Sequence, residues 1–337
     1  MSIQAPENRE SRASYRRPET SRERFGWKTA RTGSVPGPSG WNGYATTSVF
    51  RQDGRVAGES SYVERAPTPA LAAVASLVWI QQVGDRPLAQ RHVPHGGAEL
   101  RCVLGETPRL LGPLTTAMYK DIPAGGTVVG VRLRPGVLGG LAGMPADELV
   151  DEDVACTDIW RGSSRLTDLL GDAATPRAAL GHLQSFVARS APAHDPLVGD
   201  AVRHLMPWHG GTPAALPALL SISERQLRRR CRAAVGVGAK ELHRILRLQG
   251  FIARVQASID QQDALGVDLA RWAVETGYTD QAHLGRECRR LVGVTPGVLL
   301  SQTGAACGCG HDHAASYVPM LRPGYGRSVQ ERRLIPA

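Results

Sequence analysis

The stretch LRRRCRAAVGV at residues 227–237 returns as LGRECRRLVGV at residues 284–294. Seven of these eleven positions are identical at a constant offset of 57: Leu227/Leu284, Arg229/Arg286, Cys231/Cys288, Arg232/Arg289, Val235/Val292, Gly236/Gly293 and Val237/Val294. A repeat this dense means that one supersecondary unit is used twice. In the first copy Leu227, Cys231 and Val235 recur at helical spacing, and Leu284, Cys288 and Val292 do so in the second. They mark the inward face of an amphipathic helix.

The flanking residues supply starts and stops. Ser223 and Asp280 stand at equivalent places before the two helices, where a short side-chain oxygen can accept from exposed amides of the first turn. Ser223 with Gln226 fits a capping box, and Gly236 and Gly293 are the expected helix ends. The outward faces differ: Arg225, Arg228, Arg229 and Arg232 in the first copy correspond to Ala282, Gly285, Arg286 and Arg289 in the second. DLARWAVE at 268–275 predicts a helix that meets the second copy through a short turn, Thr276–Asp280, containing Gly277. That is the helix-turn-helix layout. Before the first copy a helix is expected from about Pro213 to Leu220 with Thr212 as its cap, short or kinked because of Pro217.

Here the residues match a family. GYTDQAHLGRECRRLVGVTP at 277–296 resembles the signature of the AraC/XylS transcription regulators, and SISERQLRRRCRAAVGV at 221–237 resembles the first half of the same bipartite domain. ELHRILRLQGFIARV at 241–255 is similar to the long helix joining the halves. RHVPHGGAEL at 91–100 and VGVRLRPG at 129–136 resemble a poorly characterised sensor domain that accompanies some of these regulators. The chain departs from the family at Cys231, Leu284 and Cys288, where aromatic residues are usual.

The resemblance implies one monomer reaching two successive major grooves of double-stranded DNA. A linker of about 20 residues spans roughly 30 Å, close to the ~34 Å of one duplex turn. By position it assigns Arg225, Gln226, Arg228 and Arg229 to one groove, with Arg232 on the same outward face, and Gln281, Ala282, Gly285 and Arg286 to the other. Arg reads guanine and Gln reads adenine bidentately, each worth about 1–3 kcal/mol of discrimination. The first unit is therefore expected to supply more of the affinity. A small-molecule effector, RNA polymerase and a second copy of the chain are the further partners the reading implies, and no cofactor is expected.

Charge follows the same division. The net charge of +9 splits into +4 over 1–60, −1 over 61–192, +4 over 193–303 and +2 over 304–337. A neutral sensing domain joined to a basic nucleic-acid domain gives that distribution. The expected organisation is a disordered basic leader at 1–60, a sensor or dimerisation domain at 61–190, the DNA-binding domain at 195–303 and a flexible tail at 304–337. The fold class is α+β for the sensor, a small sheet or barrel with helices, followed by an all-α domain of two helix-turn-helix units and a linker helix. Within the sensor, Pro69–Val83 reads as a helix capped by Thr68; 99–105, 108–114 and 127–136 read as strands; and Pro145–Leu149, Ser164–Leu170 and Pro176–Arg189 read as helices.

The longest apolar run, ALAAVASLVWI at 70–80, is too short to span a bilayer. The N-terminus carries charge without an apolar segment, so a cytoplasmic protein is expected, with its six cysteines reduced. Cys307, Cys309, His311 and His313 have the ligand types for zinc, but they alternate in a Gly-rich tail instead of forming separated pairs, and the expectation is an unstructured tail. Arg91, His95, Glu99 and Arg132, with His92, are candidates for an effector pocket. The acidic run DEDVACTD at 151–158 reads as a solvated turn. No phosphate loop or nucleophile elbow is present, so no enzyme is expected. The rival readings are a DNA-repair alkyl acceptor, whose cysteine would have to be Cys102 or Cys156, and a barrel enzyme fused to a DNA-binding domain.

Overall fold

A computed structural model describes residues 60–190, 195–260, 268–306 and 314–321. The first part is built on an antiparallel six-stranded sheet of order β1-β2-β7-β4-β5-β8. Its strands are β1 (Ser61–Arg65), β2 (Ala75–Gln82), β4 (Glu99–Val103), β5 (Arg109–Leu111), β7 (Thr127–Leu133) and β8 (Asp153–Ala155). A two-stranded sheet pairs β3 (Leu88–His92) with β6 (Met118–Ile122). One face of the large sheet presents Leu100, Cys102, Val129 and Val131 to a core shared with α3 (Ser164–Gly171) and α4 (Pro176–Ser190). On the other face Ile122 and Leu88 of the small sheet pack against Leu77, Trp79 and Val128. The result is a half-barrel covered outside by helices; the short α1 (Leu138–Ala142) and α2 (Cys156–Ile159), which precede α3, add Leu138, Leu141 and Cys156 to the same core.

The helix expected over Pro69–Val83 is not formed. A single 3-10 turn at Pro69–Leu71 is followed by β2, which lies between β1 and β7 and buries both of its faces. A strand buried on both sides is apolar throughout, so its sequence loses the alternation that separates strand from helix. Strands β3 and β6 carry polar residues and left no apolar signal. The acidic run is a solvated turn only at its start, where Asp151 and Glu152 are exposed. Asp153 lies in β8 with its carboxylate bound by Arg101 at 2.8 Å, Arg109 at 3.0 Å and Lys120 at 2.7 Å.

The second part is helical: α5 (Pro196–His204), α6 (Leu216–Leu219), α7 (Glu224–Val235), α8 (Ala239–Asp260), α9 (Leu269–Glu275), α10 (Gln281–Val292), α11 (Pro296–Ala306) and α12 (Ala314–Leu321). Two cores flank α8. Leu242 and Leu246 join Leu227, Cys231 and Val235 of α7 on one side. Ile245, Leu248 and Phe251 join Leu284, Cys288 and Leu291 of α10 on the other. Thr212 does not cap α6, which starts at Leu216 with Ala215 before it and lasts four residues. Pro217 at its second position, which has no N–H to donate, suits only the first turn of a helix. The tail is not featureless: α12 packs along α8, Trp208 Nε1 donates to Pro319 O at 3.1 Å, and Met320 reaches the core of the first unit. Among the described residues no helix is long and apolar enough to cross a membrane.

Candidate nucleic-acid interface

Each repeat folds into a capped helix. Ser223 Oγ accepts from Gln226 N at 3.2 Å while Gln226 Oε1 accepts from Ser223 N at 2.9 Å, closing a capping box at the start of α7. Asp280 Oδ1 accepts from His283 N at 2.6 Å at the start of α10. Gly236 and Gly293 end the two helices with φ of 92° and 81°, a conformation that glycine adopts without a Cβ clash.

The inward residues Leu227, Cys231, Val235, Leu284, Cys288 and Val292 are all buried. On α7 Arg225, Arg228, Arg229 and Arg232 are exposed, and none forms an ion pair among the described residues. On α10 Gln281, Ala282, Arg286 and Arg289 are exposed. Two of the expected contacts differ from expectation. Gln226 is committed to the capping box, so bidentate contact with a base would require the box to open. Gly285 is buried, with the Arg289 guanidinium as the nearest group at 3.8 Å from where a Cβ would stand.

Sequence reasoning missed how the two readers are tied down. The same repeat position carries Arg230 in α7 and Glu287 in α10. Arg230 pairs with Asp195, the cap of α5, at 2.6 Å. Glu287 accepts from Arg244 of α8 through both oxygens, at 2.6 and 2.8 Å. The hydrogen bonds from Arg244 outweigh partial burial and hold the Glu287 carboxyl below its ordinary value. No periodicity could reveal a pair 43 residues apart. Arg247 also fastens the second unit, donating to Gly277 O at 3.0 Å and lying 5.0 Å over the Tyr278 ring.

In the half-barrel, His92, His95, Glu99 and Arg132 come together. Glu99 takes a hydrogen bond from Arg132 Nε at 2.7 Å and meets His92 Nδ1 at 2.8 Å, with His95 Nε2 at 3.9 Å. Burial alone would raise the Glu99 carboxyl, but Arg132 and the His92 hydrogen bond hold it well below its ordinary value. Burial and the neighbouring Arg132 push His95 down to about 3. Arg91 precedes His92 on β3 and points to the opposite face, so it stands apart from this group. Unanticipated members of the interior are Tyr62, whose hydroxyl donates to Glu64 at 2.8 Å, and Trp79, whose indole lies against Gly130. A Cβ at Gly130 would fall 2.2 Å from that ring, which requires glycine there. His92 Nε2 and Trp79 Nε1 are buried with no hydrogen-bond partner among the described residues.

Among the described residues no group of three His, Cys, Asp or Glu side chains could hold a metal, and Cys307, Cys309, His311 and His313 lie outside them. Burial pushes the Cys102 thiol up to about 12 and the Cys156 thiol higher still. An alkyl acceptor needs the reverse, a thiol poised to ionise.

Residues 216–302 match the model of a helix-turn-helix domain. The C-terminal part of the chain is a helix-turn-helix domain of the AraC type. The chain is accordingly a DNA-binding regulator of transcription. Residues 63–155, the greater part of the half-barrel, match a domain of unknown function, DUF6597. No curated protein sequence matches. Among solved structures, apo ToxT from Vibrio cholerae is similar at 12% identity and a TM-score of 0.35, over 70% of this chain and 99% of that one. ToxT bound to (E)-4-(8-methylnaphthalen-1-yl)but-3-enoic acid is similar at 9% identity and a TM-score of 0.34, over 73% of this chain and 99% of that one.

Proposed function

We propose that this regulator reads two successive major grooves on one DNA face with α7 and α10, and that residues 61–190 sense a small molecule that tunes the binding by 195–303. The observation that carries the first part is the linker. Helix α8 has 22 residues, about 33 Å at 1.5 Å per residue, against ~34 Å for a duplex turn. Exposed, unpaired arginines on both readers support the same reading. Arg225, Arg228, Arg229 and Arg232 are assigned to one groove, and Gln281, Ala282 and Arg286 to the other. Gln226 and Gly285 act through backbone geometry, as a cap and as a point of close approach. Selection of bound DNA from a random pool tests the assignment. The expected product is two half-sites about one turn apart; one uninterrupted short site would overturn it.

The sensing role draws on the buried group around Glu99. A molecule offering both a donor and an acceptor would satisfy His92 Nε2 and Trp79 Nε1. The loop that follows His92 and carries His95 also packs on the linker helix: Gln249 Nε2 donates to Pro94 O at 2.7 Å, and Gly96 lies against Leu242 and Ile245. An occupant that shifts this loop therefore presses on the element that spaces the readers. A thermal-shift screen of polar metabolites against the wild type and Trp79→Phe tests this. Compounds that stabilise the wild type and lose their effect in the variant are expected. Hits indifferent to the substitution would move the site elsewhere.

A further inference from the structure

A cleft of about 840 Å³ lies between the two helix-turn-helix units. Its floor is one stripe of the linker helix, Lys240, His243, Arg244 and Arg247, spaced i, i+3, i+4 and i+7 and so all on one side. One wall is α10, through His283, Glu287 and Arg290. The opposite wall includes Glu224, the first residue of α7.

Helical geometry relates this cleft to the reading faces. At about 100° per residue, Glu224 sits on one flank of the α7 arginine face, next to Arg228. His283, Glu287 and Arg290 form the opposite flank of α10, about a quarter-turn from Ala282, Arg286 and Arg289. The gap is thus bounded by facing flanks of the two readers and closed behind by α8. If the readers enter successive major grooves, the duplex between them turns its minor groove toward this gap. Both edges of that groove are sugar–phosphate backbone.

The charge of the cleft suits that occupant. Arg244 is spent on Glu287 and Glu241, and Arg247 on Gly277 and Tyr278. Lys240 is exposed and makes no ion pair among the described residues. Arg290 is exposed at the rim and reaches only Glu241, at 3.5 Å. Two cations are therefore within reach of phosphate, while Glu287 and Glu241 beside them are already held by Arg244; Glu224 on the opposite wall is exposed and makes no ion pair among the described residues.

We propose that the linker helix region is itself a DNA contact, with Lys240 and Arg290 gripping the phosphates between the two half-sites independently of sequence. The proposal rests on the two-groove reading above and adds to it a third, non-specific point of attachment. Neutralising one phosphate contact lowers the slope of log K against log salt by about 0.9. It leaves base preference alone.

The test uses the full chain, with Lys240→Gln and Arg290→Gln made separately and together. Binding is measured across a salt series to a selected site and to a scrambled duplex. The expected result is weaker binding to both DNAs by the same factor, with a slope reduced by about 1 for each substitution. A second arm places uncharged methylphosphonate linkages in the spacer. These should weaken the wild type and have a much smaller effect on the double variant. Unchanged slopes, or equal sensitivity of both proteins to the neutral spacer, overturn the proposal. Its failure is separable from that of the two-groove reading. In the first case the Arg228→Ala, Arg229→Ala protein still loses affinity while the cleft variants do not. In the second the wild type shows no paired half-sites at all.

Discussion

The two helix-turn-helix units share a frame and differ in almost everything attached to it. Both readers begin at a side-chain cap, bury Leu, Cys and Val, and end at a left-handed glycine. The first turns four arginines outward, whereas the second offers Ala282 and a buried Gly285 at two of those places. The first follows a four-residue helix and is tied by Arg230 to Asp195, next to the half-barrel. The second follows a seven-residue helix and is locked by Glu287 to the linker. The frame has been kept for geometry while the contacts have been divided: charge on the first unit, fixation on the second. Substitutions at matched positions can break that contrast or sharpen it.

The largest difference should appear at the shared anchor position. The side chains of Glu287 and Arg244 are only 10% and 15% exposed. Removing one partner of such a pair strands the other, at a cost of about 3 kcal/mol. Glu287→Ala should lower the midpoint of thermal unfolding accordingly. The equivalent Arg230–Asp195 pair is 41% and 25% exposed, so Arg230→Ala should cost under about 1 kcal/mol. Comparable losses from the two variants would show that the units are anchored alike.

DNA affinity should divide the other way. Arg228→Ala and Arg229→Ala are each expected to weaken operator binding by about 1–3 kcal/mol in a fluorescence anisotropy titration. Gln281→Ala and Arg286→Ala together should cost less than that pair. If Gln281→Ala alone abolishes binding while both arginine variants bind normally, the assignment of charge to the first unit is wrong.

The turns differ as well. Gly277 of the second turn has φ 85°, while the turn before α7 forces Ser221 to φ 52°. A residue with a Cβ pays about 1–2 kcal/mol in that region. Gly277→Ala should therefore destabilise by that amount, the more so because its Cβ would meet Arg247 Cδ at 3.2 Å. Ser221→Gly should gain up to about 1 kcal/mol. Both are read by denaturant titration, and a stabilising Gly277→Ala would mean that the second turn relaxes to another geometry.

How much of this could be read in advance depends on how local the determining interaction is. The repeat, the caps and the glycine stops all act within a few residues, and the helices α7, α8 and α10 follow from them. The half-barrel is different. His92 and Glu99 lie only seven residues apart, but their approach depends on the chain turning back between β3 and β4. Lys120 in β6 faces inward because Asp153 of β8 receives it, and no short window of sequence contains both partners. The same holds for Glu287 and Arg244, and for α12, which packs along α8 and accepts a hydrogen bond from Trp208 at Pro319 O. At Pro69–Val83 the failure had another cause. Apart from Ser76, Gln81 and Gln82 the run is apolar, because β2 is buried on both faces, and periodicity then carries little information.

Gly285 gives the smallest effect and the most discriminating one. In a helix interior glycine is about 1 kcal/mol less favourable than alanine, and here the space for a methyl group is present, with Arg289 Nη1 as its nearest neighbour at 3.8 Å. Gly285→Ala should stabilise the protein by up to about 1 kcal/mol in thermal unfolding. What it does to DNA binding decides why glycine is there. If α10 approaches the duplex closely at this point, the added methyl group weakens operator binding even as the fold gains stability, and Gly285→Arg weakens it further on specific DNA. If the glycine only marks a place without a contact, Gly285→Ala binds as the wild type does. Gly285→Arg, which copies Arg228 of the first unit, then strengthens binding to all sequences and steepens the salt dependence by about 0.9. The second outcome would make the two units interchangeable in geometry and distinct only in charge; the first would make the second unit a reader by shape.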